Sequence, residues 1–299
     1  MHRETEFRGC DIVAFDIETT GLTAGDTLTT ITALRDSEYS IWINASESYD
    51  VDYDQLENEI TTRSGVDSEN VTLYVADSEE AILESFTSFT DNLNVSDVYP
   101  VAYNGEVWKG GFDLSFLRTL MFKYDMETQP FEDLWYIDMY PIFDKGRINT
   151  TAPSITDRDF TKSDHHQFKK YVRDELFTSL NSLERHEYTF QDIRDFYAEY
   201  QERLDISHLP TTQFTDLVNV HRVLMVEVQE MNETEYDAAN FDPFADSYEA
   251  VTAYENGEYA DVILHNMADV KKTFELSGFL NYVPDSDVEM KKLEKSTWD

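Results

Sequence analysis

Short apolar runs alternate with longer amphipathic ones over the first half of this chain, which is the pattern of a mixed α/β protein. Ile12 to Ile17 is a brief, partly β-branched apolar run and reads as a buried strand. Thr27 to Leu34 and Tyr39 to Ile43 read as two further strands, joined by the polar stretch Arg35-Asp36-Ser37-Glu38 into an antiparallel meander. Residues 44–76 are polar and irregular, with room for one short helix. Asp77-Ser78-Glu79-Glu80 then has the form of a capping box, followed by Ile82, Phe86, Phe89 and Leu93 at helical spacing. Val98 to Tyr103 predicts the next strand. Asp113 opens a helix whose apolar face is Leu114, Phe116, Leu117, Leu120 and Met121, and Leu134 to Met139 closes the series as a strand.

The second half reads differently. Residues 145–240 lack the alternation, and 189–204 and 214–231 have the spacing of amphipathic helices, so a mostly helical insertion or cap is expected there. Ser247 to Tyr254 predicts a short helix ending near Gly257, and Tyr259 begins a longer one running towards Leu276. We expect one domain over residues 1–299 with the insertion inside it.

Composition changes this picture in one respect. With 41% apolar residues the chain can fill a core, but 61 Asp and Glu against 23 Lys and Arg leave a formal charge of −38, spread along the whole length. Such a surface resembles that of halophilic proteins from a salt-loaded cytoplasm. It disfavours polyanionic partners at low ionic strength, yet at about 1 M salt the Debye length is roughly 3 Å and only contact-range charges count. The single cysteine, Cys10, excludes an internal disulfide and argues against a thiolate zinc site. No signal-peptide core or run approaching 18 apolar residues is present, so a cytoplasmic protein without a membrane partner is expected. One local exception stands out: from Lys145 to Arg173 there are seven basic residues, among them Lys162, Lys169, Lys170 and Arg173, against three acids. That segment is either a solvated loop or a phosphate-tracking arm.

The candidate chemistry lies in three phrases. In Phe15-Asp16-Ile17-Glu18-Thr19-Thr20-Gly21-Leu22 the two carboxylates sit two apart on a strand and share a face, where they repel unless a cation sits between them. Asn104 at a strand end is followed after a loop by Phe112-Asp113, where the alternative role for Asp113 is a helix cap. His265 and Asp269, four apart on the last long helix, share its face.

Taken together these phrases resemble the motifs of the DEDD 3′–5′ exonucleases of the ribonuclease H-like superfamily. The segment Leu264-His265-Asn266-x-x-Asp269-Val270 is most similar to the YprB-type branch, with His265 where that branch has Tyr. The loop between Asn104 and Phe112 is longer than is usual in the family.

The resemblance implies a ribonuclease H-like fold: a mixed five-stranded sheet, three antiparallel strands first, flanked by helices. It also implies two magnesium or manganese ions held by Asp16, Glu18, Asp113 and Asp269, with His265 orienting or deprotonating the attacking water. Thr20, Leu22 and Asn104 would touch the substrate, the 3′ end of DNA or RNA, and 5′-nucleoside monophosphates would be released. The same fold could instead carry a catalytically silent binding module or a structure-selective endonuclease. Oligomeric state is left open.

Overall fold

The structure is a computed structural model that describes residues 11–23, 25–45, 51–96, 98–105, 112–128, 135–140, 217–222, 225, 233–244, 247–278 and 290–292. Strand β1 (Asp11–Thr19) is followed by β2 (Leu28–Arg35) and β3 (Glu38–Asn44), each antiparallel to the one before. Helix α1 (Tyr53–Ser64) leads to β4 (Val71–Ala76), and α2 (Glu79–Ser96) to β5 (Val98–Ala102). Next come α3 (Asp113–Lys123) and β6 (Trp135–Asp138), then α4 (Leu217–Arg222), α5 (Glu233–Ala239), α6 (Ser247–Glu255), α7 (Tyr259–Ser277) and β7 (Met290–Lys292). The strands form one mixed sheet in the order β4-β3-β2-β1-β5-β6-β7. β5 is parallel to β1 and β6 parallel to β5, so the antiparallel half meets the parallel half at β1.

The strict two-residue period of a strand sorts β1 between two cores. Val13, Phe15 and Ile17 pack on one face with Ile82, Phe86, Leu114 and Leu117 of α2 and α3. Ala14 belongs to the opposite face, with Leu56 and Ile60 of α1 and Val262, Ile263 and Met267 of α7. Asp16 and Glu18 continue the Ala14 face, so β1 aims both carboxylates towards α7. β2, covered on both sides, is buried along nearly its whole length.

Two expectations are corrected here. The sheet has seven strands among the described residues, not five, because β4 and β7 extend its two edges. Residues 44–76, expected to be largely irregular, contain a three-turn helix and a strand. α1 is capped by Asp52, whose side chain accepts from Gln55 N, and closed by Gly65 in the left-handed region at φ 70°. β4 lies at the sheet edge, parallel to β3, with Thr72 and Tyr74 exposed, so its apolar pattern is weak. The cap falls one residue later than the box predicts: Ser78 Oγ accepts from Ala81 N at 3.3 Å, and with Ala81 in the third helical position no carboxylate reciprocates. The buried Glu79 carboxylate accepts from Leu28 N (2.7 Å), Lys123 Nζ (2.8 Å) and Tyr124 OH (2.6 Å), tying α2 and α3 to β2.

Of the 145–240 segment, residues 217–222 and 233–239 are helical. The expected helix 189–204 and the basic residues Lys162, Lys169, Lys170 and Arg173 lie outside the described residues. No described helix is long and apolar enough to cross a membrane.

Phe86, 2% exposed, meets Trp42 edge-on at 5.4 Å between ring centroids and also contacts Phe15 and Phe89. Phe86→Ala should therefore cost about 3–5 kcal/mol of unfolding free energy, measured by denaturant titration. Phe122→Ala, at a site 61% exposed, should change it by less than about 0.5 kcal/mol.

Candidate metal and acid–base site

At the end of β1 the chain leaves through a tight loop. Thr20 N donates to Thr27 O and Thr27 N to Thr20 Oγ1, both at 2.9 Å, closing the loop's neck. Asp26 Oδ2 accepts from Thr23 N and Thr23 Oγ1, both at 2.7 Å. A Cβ on Gly21 would stand 2.7 Å from the Asp26 carboxyl carbon, so a larger residue there would have to displace that side chain. Leu22 projects from the loop, 80% exposed.

Three distant segments meet beside this loop. Asp16 and Glu18 come from β1, Asp113 from the first turn of α3, and His265, Asn266 and Asp269 from the middle of α7. Asn266 Nδ2 donates to Asp16 Oδ2 at 2.7 Å. His265 Nε2 lies 3.6 Å from Glu18 Oε1 and has no hydrogen-bond partner, although buried. One donor atom each from Glu18, His265 and Asp269 fall within 4.8 Å of one another. Asp113 Oδ2 is likewise buried and without a partner. Asp113 is the first residue of α3, and Phe112, in the cap position before it, makes no side-chain cap.

Asn104, the other residue expected near Asp113, has φ 66°. Its amide donates to Asp138 Oδ1 (2.8 Å) and its carbonyl accepts from Phe112 N (3.2 Å), so it shapes the loop between β5 and α3. Thr20, Leu22 and Asn104 thus sit in the two loops that border the carboxylates.

Four participants were not singled out from the sequence. Asp242 Oδ1 accepts from His265 Nδ1 at 2.8 Å and from Phe244 N at 3.1 Å, and fixes the imidazole so that Nε2 faces Glu18. Lys272 Nζ donates to Asp269 Oδ1 at 2.7 Å and to Asp242 Oδ2 at 3.2 Å. Asn266 holds Asp16. Asp138, at the end of β6, lies close enough to Asp113 to disfavour its ionisation. Lys272 could have been found from its place three residues beyond Asp269. Asp242, 23 residues from its partner, carries no local signal.

The electrostatics follow from burying so many acids together. Burial pushes the Asp16 carboxyl well above its usual value, the charges of Asp113, Glu18 and Asp269 push it further, and only the Asn266 hydrogen bond opposes them. Asp113 is raised by burial, then by Asp138 and Glu18. Burial raises Glu18 to about 7, against the pull of His265 and Lys272. Burial alone would lower His265, but the Asp242 hydrogen bond and the charges of Glu18 and Asp269 lift it to about 9. Asp242 falls below the usual carboxylate value despite burial, because His265 and Lys272 favour its anion. Lys272 rises above the usual lysine value despite burial, because of Asp269 and Asp242.

This set of donors suits a hard divalent cation. Carboxylates that resist ionisation in its absence, and an orphaned Asp113 oxygen among them, are what such a charge would relieve. Comparison with known protein families and with curated proteins finds no match for this chain.

The shifts set the sign of a pH effect. Glu18 is raised, so between about pH 4.5 and 7 the folded chain holds a proton that the unfolded chain has lost. His265 is raised too, so the same is true between about 6.5 and 9. Both make stability fall as pH rises, by about 1.4 kcal/mol per pH unit where one proton is at stake. In chelator, denaturant titrations from pH 5 to 9 should show this decline. Glu18→Gln should flatten its lower part and His265→Gln its upper part; equal slopes in all three proteins would refute the assignment.

Proposed function

We propose that this chain is a metal-dependent nuclease that removes nucleotides from the 3′ end of DNA or RNA, on a ribonuclease H-like fold of the DEDD exonuclease type. The observation that carries this reading is the convergence of Asp16, Glu18, Asp113 and Asp269, from three separate elements, on one spot where burial and neighbouring acids push Asp16, Glu18 and Asp113 towards their neutral forms. The sheet supports it as well. Three antiparallel strands followed by the parallel β5 and β6, with the acids at strand and helix ends, is the arrangement that the sequence resemblance implies.

In this reading the four carboxylates hold divalent magnesium or manganese. When bound, such an ion supplies an acidified water as nucleophile and stabilises charge on the leaving oxygen. The remaining steps belong to the chain. Once cations take up the carboxylate charge, the imidazole of His265 no longer gains by keeping its proton. Nε2, held towards Glu18 by Asp242, can then accept a hydrogen bond or a proton from water. Water adds to phosphorus as the P–O3′ bond breaks, and the proton that the water loses ends on the departing 3′ oxygen or in solvent. A 5′-nucleoside monophosphate leaves.

Thr20, Leu22 and Asn104 border the place where the terminal nucleotide would lie, and the exposed Leu22 side chain offers an apolar surface to a base. The basic run Lys162, Lys169, Lys170 and Arg173 would follow the phosphate backbone.

The test is digestion of 5′-end-labelled DNA and RNA oligonucleotides and of circular single strands, with manganese at high salt. A ladder of products shortened from the 3′ end, with circles left intact, is expected. Cut circles would show an endonuclease, and no metal-dependent cleavage would refute the reading. Asp16→Asn should abolish cleavage, and His265→Ala should lower turnover by roughly 10²–10⁴ while metal binding persists. A His265→Ala enzyme of parental rate would return the histidine to a structural role.

A further inference from the structure

The charges around the site are unevenly balanced. On the α7 side, Asp269 Oδ1 is engaged by Lys272 Nζ at 2.7 Å, and the same ammonium reaches Asp242 Oδ2 at 3.2 Å. The Lys272 side chain is 8% exposed, between a carboxylate 6% exposed and another 19% exposed. An ammonium so far from water is held by its partners and is costly to displace. Glu18, on the same side, feels both His265 and Lys272.

The β1–α3 side has no such compensation. Among the described residues no cationic side chain pairs with Asp16 or Asp113, the only hydrogen bond given to Asp16 by a side chain is that of neutral Asn266, and Asp113 Oδ2 has no partner.

We propose that the chain by itself takes one divalent cation, on Asp16 and Asp113, and that the Lys272 ammonium is a built-in counter-ion standing where a second cation would otherwise balance Asp269. The inference rests on the reading of these carboxylates as a cation site and departs from a pair of ions held symmetrically by four acids. It explains why Asp242 is present. Shared between Lys272 and His265, its carboxylate anchors the ammonium on Asp269 and the imidazole beside Glu18 with one group.

The experiment counts manganese on the full-length chain. Binding is followed through the electron paramagnetic resonance signal of free Mn²⁺, in high potassium chloride to screen the acidic surface. An Asp16→Asn/Asp113→Asn double variant supplies the background. The parent should bind one equivalent above background, with the spectrum of an isolated ion. Lys272→Gln should bind two, with the spectrum of an exchange-coupled pair, and Lys272→Arg should remain at one. Two equivalents on the parent, none at all, or one on a folded Lys272→Gln would overturn the proposal.

Should Lys272→Gln fail to fold, two single variants decide. Asp113→Asn should weaken binding at least tenfold and Asp269→Asn by less than about threefold; the reverse order overturns it. Cleavage assays on the same preparations separate the two readings. One bound ion without cleavage would refute the nuclease and leave the counter-ion standing, whereas cleavage by a parent carrying two ions would refute the counter-ion alone.

Discussion

Carboxylates brought together out of water repel one another, and that repulsion is the constraint around which this structure is arranged. Asp16, Glu18 and Asp113 are each held where ionisation is unfavourable. Such an arrangement persists only if the scaffold over-determines it. Here it does: β1 is the central junction of the sheet, bonded to β2 on one side and β5 on the other, and its odd-numbered face is locked into the aromatic core under α2. Because residues alternate, anchoring Val13, Phe15 and Ile17 in that core leaves Asp16 and Glu18 no choice of direction.

The opposing wall is α7, packed over β1 and β2 and buried over most of its length. Its middle turn brings His265, Asn266 and Asp269 to the carboxylates together, and each is restrained by a neighbour: His265 by Asp242, Asn266 by Asp16, Asp269 by Lys272. The site is therefore a polar network of low exposure, with Asp113 Oδ2, His265 Nε2 and Asn266 Oδ1 left without hydrogen-bond partners. In a network of this kind the leftover atoms are where an added group can bond. Two of the three, Asp113 Oδ2 and His265 Nε2, belong to candidate residues taken from the motifs, which supports the proposed nuclease reading.

The formal charge is −38, and among the described residues most acids lie in solvent while the less exposed ones separate into two kinds. Glu79 is fully paired, by Lys123, Tyr124 and Leu28 N, and falls below the usual carboxylate value despite burial. Asp16 and Asp113 are unpaired by any described cation and rise. The contrast distinguishes a carboxylate that ties the fold together from carboxylates buried without a described counter-charge.

How much of this was legible beforehand depended on distance along the chain. β1, β2, β3, β5 and α7 announce themselves by local periodicity, and Asp16, Glu18, Asp113, His265 and Asp269 by short phrases, because side-chain direction within one element follows from spacing alone. β4 did not, since an edge strand with Thr72 and Tyr74 in solvent loses the alternation that marks a buried one. The pairings that set protonation and charge, Asp242 with His265 across 23 residues and Asn266 with Asp16 across 250, have no sequence period behind them. Sequence alone determined which acids share a face. Only the packing of α7 against β1 brought His265 beside Glu18 and Asn266 onto Asp16, because contact between remote segments is set by the whole core and not by any stretch of it.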